Sequence, residues 1–514
     1  MYSALKAIWA ASSLFLAAGG AQCANEKAPD AKRFAPVDLR TDLYVMRQAL
    51  EAGSPGLYRH TSKQDFDEAW LRADRSLRQP LSADEFFRVA APLIAVIKNG
   101  HTQLRLPAAE AQDATETVPL LPLGVRILGQ RIFVVRDFSG EGATLAGSEI
   151  RAINGVTSQA LIKRLLTTVS ADGDVKTSRQ RIISGWGFIQ RLHTILGFPS
   201  PFSLSLREPH SLKDFSKSII GVPGALIAKE WKERYPRDLE AGNHRPLDFR
   251  FSDDGRIAIL TIPSWDDFVD SDKKMGIQEF FHATFRAIQE RATSTLIIDI
   301  RDNGGGEDSY GTLLASYLVD KPFEYFSDIW MKGLSFAFLR YSEPGYRVGT
   351  TNMLPKEITD LSELGTDGRF HLTKRPNWGT QQPSTPGFKG RVYVLINGNS
   401  FSTSSEFAAF LWSRHRAEFV GEEASGYWRS NTSGPSPTLT LPTTKLRLEV
   451  PLVEFDLAVT DGTPGAHGVQ PDHEVVYTVE DLIAGTDKEM EVALRLARAI
   501  SNQTMKPLSY LEMY

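Results

Sequence analysis

A chain of 514 residues is longer than one core organises, because domains typically run about 100–200 residues, so several are expected. Lys+Arg at 58 against Asp+Glu at 62 leaves a net charge of -4 with no block of like charge, which excludes the concentrated basic footprint of a nucleic-acid binder. A hydrophobic fraction of 42%, with neither an internal repeat nor a low-complexity tract, excludes solenoid and disordered classes.

Residues Met1–Ala21 carry one lysine, an apolar run from Ala7 to Ala18, and small residues after it. This is the pattern of a secretory signal, and it falls short of the roughly 20 apolar residues of a spanning helix. Export to a periplasmic or secreted location is therefore expected, with cleavage after Ala21. Cys23 is the only cysteine, so no internal disulfide can form. It stands where a lipoprotein carries its lipidated cysteine, but Gln22 is larger than the residue wanted before such a site. A lipid anchor through Cys23 is the alternative to plain cleavage.

Residues 22–36 are polar and Pro/Ala/Lys-rich, a tether. Residues 37–107 read as helical: Leu39, Leu43, Met46 and Leu50 recur at helix intervals, and Ser82 with Glu85 forms a capping box ahead of a helix that Pro92 should kink. That helix ends at Asn99-Gly100, and His101 opens a short alternating strand. Residues 108–206 read as strands with one helix at Ser158–Thr167. Residues 207–248 are charged and irregular, a linker or insertion. From 249 to 500 buried strands alternate with helices, interrupted by an irregular aromatic-rich excursion at 319–388, and 501–514 is a tail.

Two segments carry chemistry. In Val392–Leu411, VYVLINGNSFSTSSEFAAFL, a buried strand runs into a Ser-rich turn and a helix. Thr403-Ser404-Ser405-Glu406 reads as a capping box with Thr403 at the N-cap, which holds Ser402 at the positive end of the helix, where an alkoxide or oxyanion is favoured. A turn that merely caps a helix has the same composition. In Leu296–Gly306, LIIDIRDNGGG, a strand runs into three glycines, which let a substrate approach the main chain and let amides point into a concavity. No Gly-Lys-Ser/Thr follows, so this is not a P-loop. The carboxylates Asp299, Asp302, Glu307 and Asp308 match neither calcium nor zinc spacing, and neither a metal nor another cofactor is expected. The sequons at Asn431 and Asn502 read as chance, and Phe336, Phe338 and Tyr341 as packing.

IDIRDNGGG followed about 100 residues later by NSFSTSSEFAAF resembles the tail-specific (C-terminal processing) serine peptidases, supported by KNGHTQL at Lys98–Leu104, GRIAILTIPSW at Gly255–Trp265 and GVQPDHEV at Gly468–Val475. The resemblance runs from about Asp38 to Ile500. It implies an α/β multidomain fold: a helical N-terminal region, a PDZ-like module (carried by Gly147–Leu166) and a crotonase-like, spiral β/α protease core. It also implies Ser402 as nucleophile and an oxyanion hole from the amides of Gly305 and Thr403, with Gly304 and Gly306 as near substitutes. The lysine that many members use as base is replaced here by Tyr427, a poor base at neutral pH. The tricorn-like branch uses a histidine ahead of the PDZ-like part instead, which makes His101 the expected base. The glutamate of that branch is Gly465 here, and Glu422 or Asp456 are the possible orienting acids.

A rival order, Ser402 with Asp456 or Asp461 and His467, follows an α/β-hydrolase triad but lacks Gly-x-Ser-x-Gly. The implied partner is a peptide or protein substrate, with no nucleic acid; the oligomeric state is not encoded legibly. Because the lysine and glutamate positions are altered, a catalytically silent peptide-binding protein on the same fold is the competing function.

Overall fold

The computed structural model describes residues 32–503 apart from 109–115, 141–143, 210, 212, 237–245, 267–274, 350 and 461–464. The expected signal segment, Cys23 and the tail from residue 504 lie outside the described residues. Among the described residues no helix is long and apolar enough to cross a membrane.

The N-terminal region folds as three helices, Pro36–Gly53, Lys63–Ser76 and Ala83–Ala95. The Ser82–Glu85 capping box forms as expected, with each side chain accepting from the other's amide. These helices have no core of their own. Met46, Phe66 and Phe86 are fully buried in the same apolar cluster as Ile298 and Phe407 of the central α/β layer. The strand Gln103–Arg105 then pairs antiparallel with Arg447–Glu449, which fixes the chain on the C-terminal side of His101.

A second unit has its own core, built on five antiparallel strands in the order Leu123–Leu128, Arg131–Asp137, Glu149–Ile153, Phe202–Arg207, Asp214–Ile219. Two readings of the sequence are corrected here. Among the described residues, the segment expected to hold one helix adds Lys176–Ile182 and Gly185–Thr194 to Ser158–Leu166. The segment expected to be a linker supplies the fifth strand and the helix Gly224–Arg234, whose Ile227 and Trp231 pack on Leu120, Phe138 and Ile189. The alternating charges of 207–219 mark an edge strand with one wet face, a pattern that high polarity disguises as a loop.

The central sheet runs Asp248–Phe251, Ile257–Thr261, Thr295–Asp299, Arg391–Ile396, Glu418–Gly421, His473–Glu474; all neighbours are parallel except the first pair. Its inner strands read as unbroken apolar runs because both faces are covered. Ile298 and Val394 face the helices Ile277–Glu290 and Thr403–Ser413, while Ile297 and Leu395 face Met490, Ala493 and Ala497 of the helix Lys488–Gln503. Asp299 and Leu395 are in register, so the glycine loop and the serine turn leave the sheet side by side at its carboxyl edge. The excursion at 319–388 is less irregular than its composition implies. Its strand Phe326–Met331 pairs with Val453–Leu457, which pairs in turn with Ser430–Ser433.

Candidate active site

The serine turn departs from the expected cap. Ser402 itself occupies the N-cap position, at φ 55° and ψ −124°, and the helix begins at Thr403. The capping box does not form. Glu406 is buried and turns inward, and the Thr403 hydroxyl donates to the Gly306 carbonyl at 2.9 Å. A non-glycine residue in this left-handed region costs of order 1–3 kcal/mol, and such strain is held only where the surroundings over-determine it.

Asn303, fully buried, supplies much of that constraint. Its carbonyl accepts from the Phe401 amide at 3.0 Å, and its side chain donates to the Ile262 carbonyl at 2.9 Å. Trp265 closes the other side: its amide donates to the Gly305 carbonyl at 3.0 Å and its indole to Ser404 Oγ at 2.8 Å. Gly305 sits at φ +113° with its Cα against Ser402.

His101 reaches this turn from 301 residues away: its Nε2 is 3.2 Å from Ser402 Oγ. The ring stacks on Phe401, with centroids 4.4 Å apart. Asn99 holds the backbone, its side-chain oxygen accepting from the amides of His101 at 3.0 Å and Thr102 at 2.9 Å. Asp172 holds it from below, accepting from the Gly100 amide at 2.6 Å and from the Tyr427 amide at 3.3 Å. Removal from water with no nearby counter-charge pulls the His101 pKa down to about 4, and pushes that of buried Asp172 up to about 6 against the pull of its two amide donors.

Several residues expected at the site find other roles. The Gly305 amide donates to Asn303 Oδ1 at 2.9 Å, so that donor is already engaged, and Thr403, Gly304 and Gly306 are left of the four amides named. Thr403 is the first residue of its helix, where an amide has no intrahelical acceptor. Neither orienting acid meets His101. Glu422 binds Arg181 at 2.9 Å, and Asp456 accepts from the Trp330 indole at 3.0 Å. His101 Nδ1 is enclosed and has no hydrogen-bond partner. Glu422 sits at the end of a sheet strand and Asp456 in the antiparallel sheet, each satisfied where it stands. The rival triad also fails to assemble: His467 faces Glu423 at 3.4 Å, and Asp461 lies outside the described residues.

One neighbour of Ser402 is the asparagine of a sequon that reads as chance in the sequence. Asn431 is 4% exposed, and its Nδ2 is 3.3 Å from Ser402 Oγ. No local sequence signal marks it, because the strand Ser430–Ser433 is brought here by pairing with Val453–Leu457. A cavity of about 1500 Å³ opens beside the site, lined by Arg59, Tyr427, Arg429 and Ser430 but not by Ser402 or His101. Among the described residues no group of three or more His, Cys, Asp or Glu is placed to hold a metal ion.

A serine strained at a helix N-terminus, with an imidazole in hydrogen-bond range and a glycine loop against it, belongs to the serine hydrolases. Residues 256–475 match the family model of peptidase family S41, so this part of the chain is similar to a family of serine-type peptidases. Among solved structures it shares its fold with mature CPAF at 16% identity, a TM-score of 0.60, and coverage of 91% of this chain and 97% of that one. CPAF complexed with lactacystin gives 16%, 0.58, 91% and 98%. The photosystem II D1 C-terminal processing protease gives 14%, 0.39, 88% and 98%. No curated protein sequence matches the chain significantly.

Proposed function

We propose that this chain is an exported serine endopeptidase that cleaves peptides or proteins by acyl transfer, with Ser402 as nucleophile and His101 as general base. The observation that carries the reading is the 3.2 Å approach of His101 Nε2 to Ser402 Oγ across 301 residues of sequence. The Ser402 O–H bond breaks as its proton passes to Nε2, and the oxygen bonds to the scissile carbonyl carbon. The carbonyl oxygen takes the negative charge and meets the amides at the helix N-terminus, that of Thr403 with Gly304. The imidazolium returns the proton to the leaving amine, and water then hydrolyses the acyl-enzyme by the same two steps. With its pKa lowered by burial, the imidazole is in its neutral, accepting form at neutral pH.

The finer reading of the fold follows. The parallel sheet with helices on both faces is read as a crotonase-like core. The five-stranded unit is read as a PDZ-like module, which would hold the C-terminal tail of a substrate by strand addition. The expected signal at Met1–Ala21 supports export, and Cys23 offers a lipid anchor as the variant of it.

The unpartnered Nδ1 of His101 and the engaged amide of Gly305 favour a second reading, a catalytically silent peptide-binding protein. A fluorophosphonate probe separates the two. Covalent labelling of the full chain, lost in Ser402→Ala and strongly slowed in His101→Ala, is the result expected of the enzyme. A folded parent that neither labels nor cleaves peptides rejects it in favour of the silent protein.

A further inference from the structure

Asn431 touches the nucleophile, and the residue on its far side dictates which end of the amide does so. Its Nδ2 is 3.3 Å from Ser402 Oγ and 2.6 Å from Glu406 Oε1. Glu406 is 3% exposed and Asn431 4%, so neither turns out to solvent. The opposite ends, Asn431 Oδ1 and Glu406 Oε2, have no hydrogen-bond partner. An ionised carboxylate only accepts, so while Glu406 is ionised the end of the amide facing it is the nitrogen, as the 2.6 Å contact has it. That nitrogen carries two hydrogens, one for each oxygen within its reach.

We propose that Asn431 is a further catalytic residue, its Nδ2–H donating to Ser402 Oγ, and that Glu406 is the positioning residue that fixes the polarity of the amide. The inference rests on the reading of Ser402 as nucleophile. As the hydroxyl proton leaves for His101 Nε2, negative charge grows on Oγ, and a donor already in place favours it without reorganisation. The Asn431 N–H bond stays intact throughout; the only proton that moves is the serine's.

The polarity depends on the charge of Glu406. When Glu406 is protonated, its O–H seeks an acceptor, and the unpaired Asn431 Oδ1 is the one at hand. A turned amide would then present its carbonyl to Ser402 and draw the hydroxyl proton away from His101. The charged groups acting on Glu406 are Asp308 and Arg375, themselves paired at 2.5 Å, and the Tyr325 phenol on the same cluster. Burial first, and then Asp308, push the Glu406 carboxyl above the ordinary carboxylate range. Full polarity therefore belongs to the alkaline side of its titration.

The test uses the full chain with Asn431→Leu and Glu406→Gln, a fluorophosphonate probe and a peptide substrate, and follows kcat, KM, labelling rate and thermal midpoint. Asn431→Leu keeps the shape and removes the donor. It should lower kcat and the labelling rate by on the order of 10²-fold, with KM nearly unchanged. Glu406→Gln should fall by less and should lose the limb of the pH–kcat profile that reports Glu406, a readout that mere packing would not move. If Asn431→Leu does not fold, Asn431→Asp replaces it. Two carboxyls at this distance share one proton between them, which leaves no donor for Ser402, and the same loss of kcat is expected. A folded Asn431 variant with wild-type kcat overturns the catalytic role, and an unchanged pH profile in Glu406→Gln overturns the positioning role. In either case a dead Ser402→Ala shows that the nucleophile assignment still stands, whereas an active Ser402→Ala overturns both.

Discussion

Gly305 lies so close to Ser402 that a β-carbon placed on it would be 2.6 Å from Ser402 Cβ and 3.1 Å from Ser402 Oγ. Two demands meet at this residue: φ of +113° disfavours any side chain, and the serine takes the space a side chain would fill. Gly305→Ala should therefore push the serine off His101, lowering kcat by at least about 10²-fold, and should cost roughly 1–3 kcal/mol of stability. Gly304 has nothing within 4 Å of its own added β-carbon, so Gly304→Ala should keep its thermal midpoint. Equal losses of midpoint in the two variants would refute the steric account.

The pH dependence has a definite sign. Burial lowers the His101 and His60 pKa values to about 4. The base is then neutral over most of the acidic range, and the limb of kcat/KM that reports His101 should lie near pH 4 rather than near the ordinary 6.5, below the separate limb that reports Glu406. For stability, the unfolded chain binds more protons at these two residues between pH 6.5 and 4, so their contribution is lost as pH falls through that window. Asp172, raised to about 6, acts in the opposite sense: between its unfolded value and 6 the native state binds the extra proton, and its contribution is lost as pH rises. His60→Gln should shallow the acid limb of a thermal-midpoint profile, and Asp172→Asn should steepen it.

Asp172 also ties the base to the fold through its 2.6 Å bond from the Gly100 amide. Asp172→Ala leaves that buried amide and that of Tyr427 without an acceptor, at a cost of about 1–3 kcal/mol, and loosens the turn that carries His101. A fall in kcat of roughly 10–100-fold is expected, smaller in Asp172→Asn, which keeps one accepting oxygen. Steady-state kinetics on the two variants should rank them in that order; the reverse ranking would dissociate Asp172 from the base.

Tyr427, at the position where the resemblance leads one to expect a lysine, packs its ring edge-on to His60 with centroids 4.8 Å apart. Its amide, not its phenol, bonds Asp172. Tyr427→Phe keeps both contacts and should cleave peptides at close to the wild-type rate. A loss as deep as that of His101→Ala would make the phenol part of the proton path.

Arg301 carries a structural prediction. It is buried and pairs with Asp299 at 2.6 Å, Asp487 at 2.6 Å and Glu489 at 3.0 Å, which ties the closing helix Lys488–Gln503 to the strand that leads into the glycine loop. Arg301→Met removes the positive charge between the buried carboxylates of Asp299 and Glu489 and should cost about 3–5 kcal/mol, read by denaturant unfolding. A change under about 1 kcal/mol would mean that the network relaxes into water.

Ser402 and His101 stand out in the sequence through resemblance to contiguous motifs of the tail-specific peptidases, NSFSTSSEFAAF around the serine and KNGHTQL around the histidine; the local pattern alone leaves the serine turn open to a mere helix cap. The buried strands at Thr295–Asp299 and Arg391–Ile396 are legible by composition, since a strand covered on both faces has little room for polar residues. The strand Asp214–Ile219 is not, because its alternation exposes one face and its charges imitate a loop. The engaged amide of Gly305 cannot be read from three glycines in a row, as it depends on the rotamer of Asn303. Asn431 and Asp172 come from stretches of sequence remote from the serine. The pairing of Ser430–Ser433 with Val453–Leu457 brings Asn431 to the serine oxygen, Glu406 meets that amide from the serine's own helix, and Asp172 meets the turn of His101 through the Gly100 amide. Local composition determines which segments become strands and helices. Which polar side chains end up buried against one another is decided by long-range packing, because a carboxylate or an amide acquires its partner, and its proton affinity, only once the intervening water is gone.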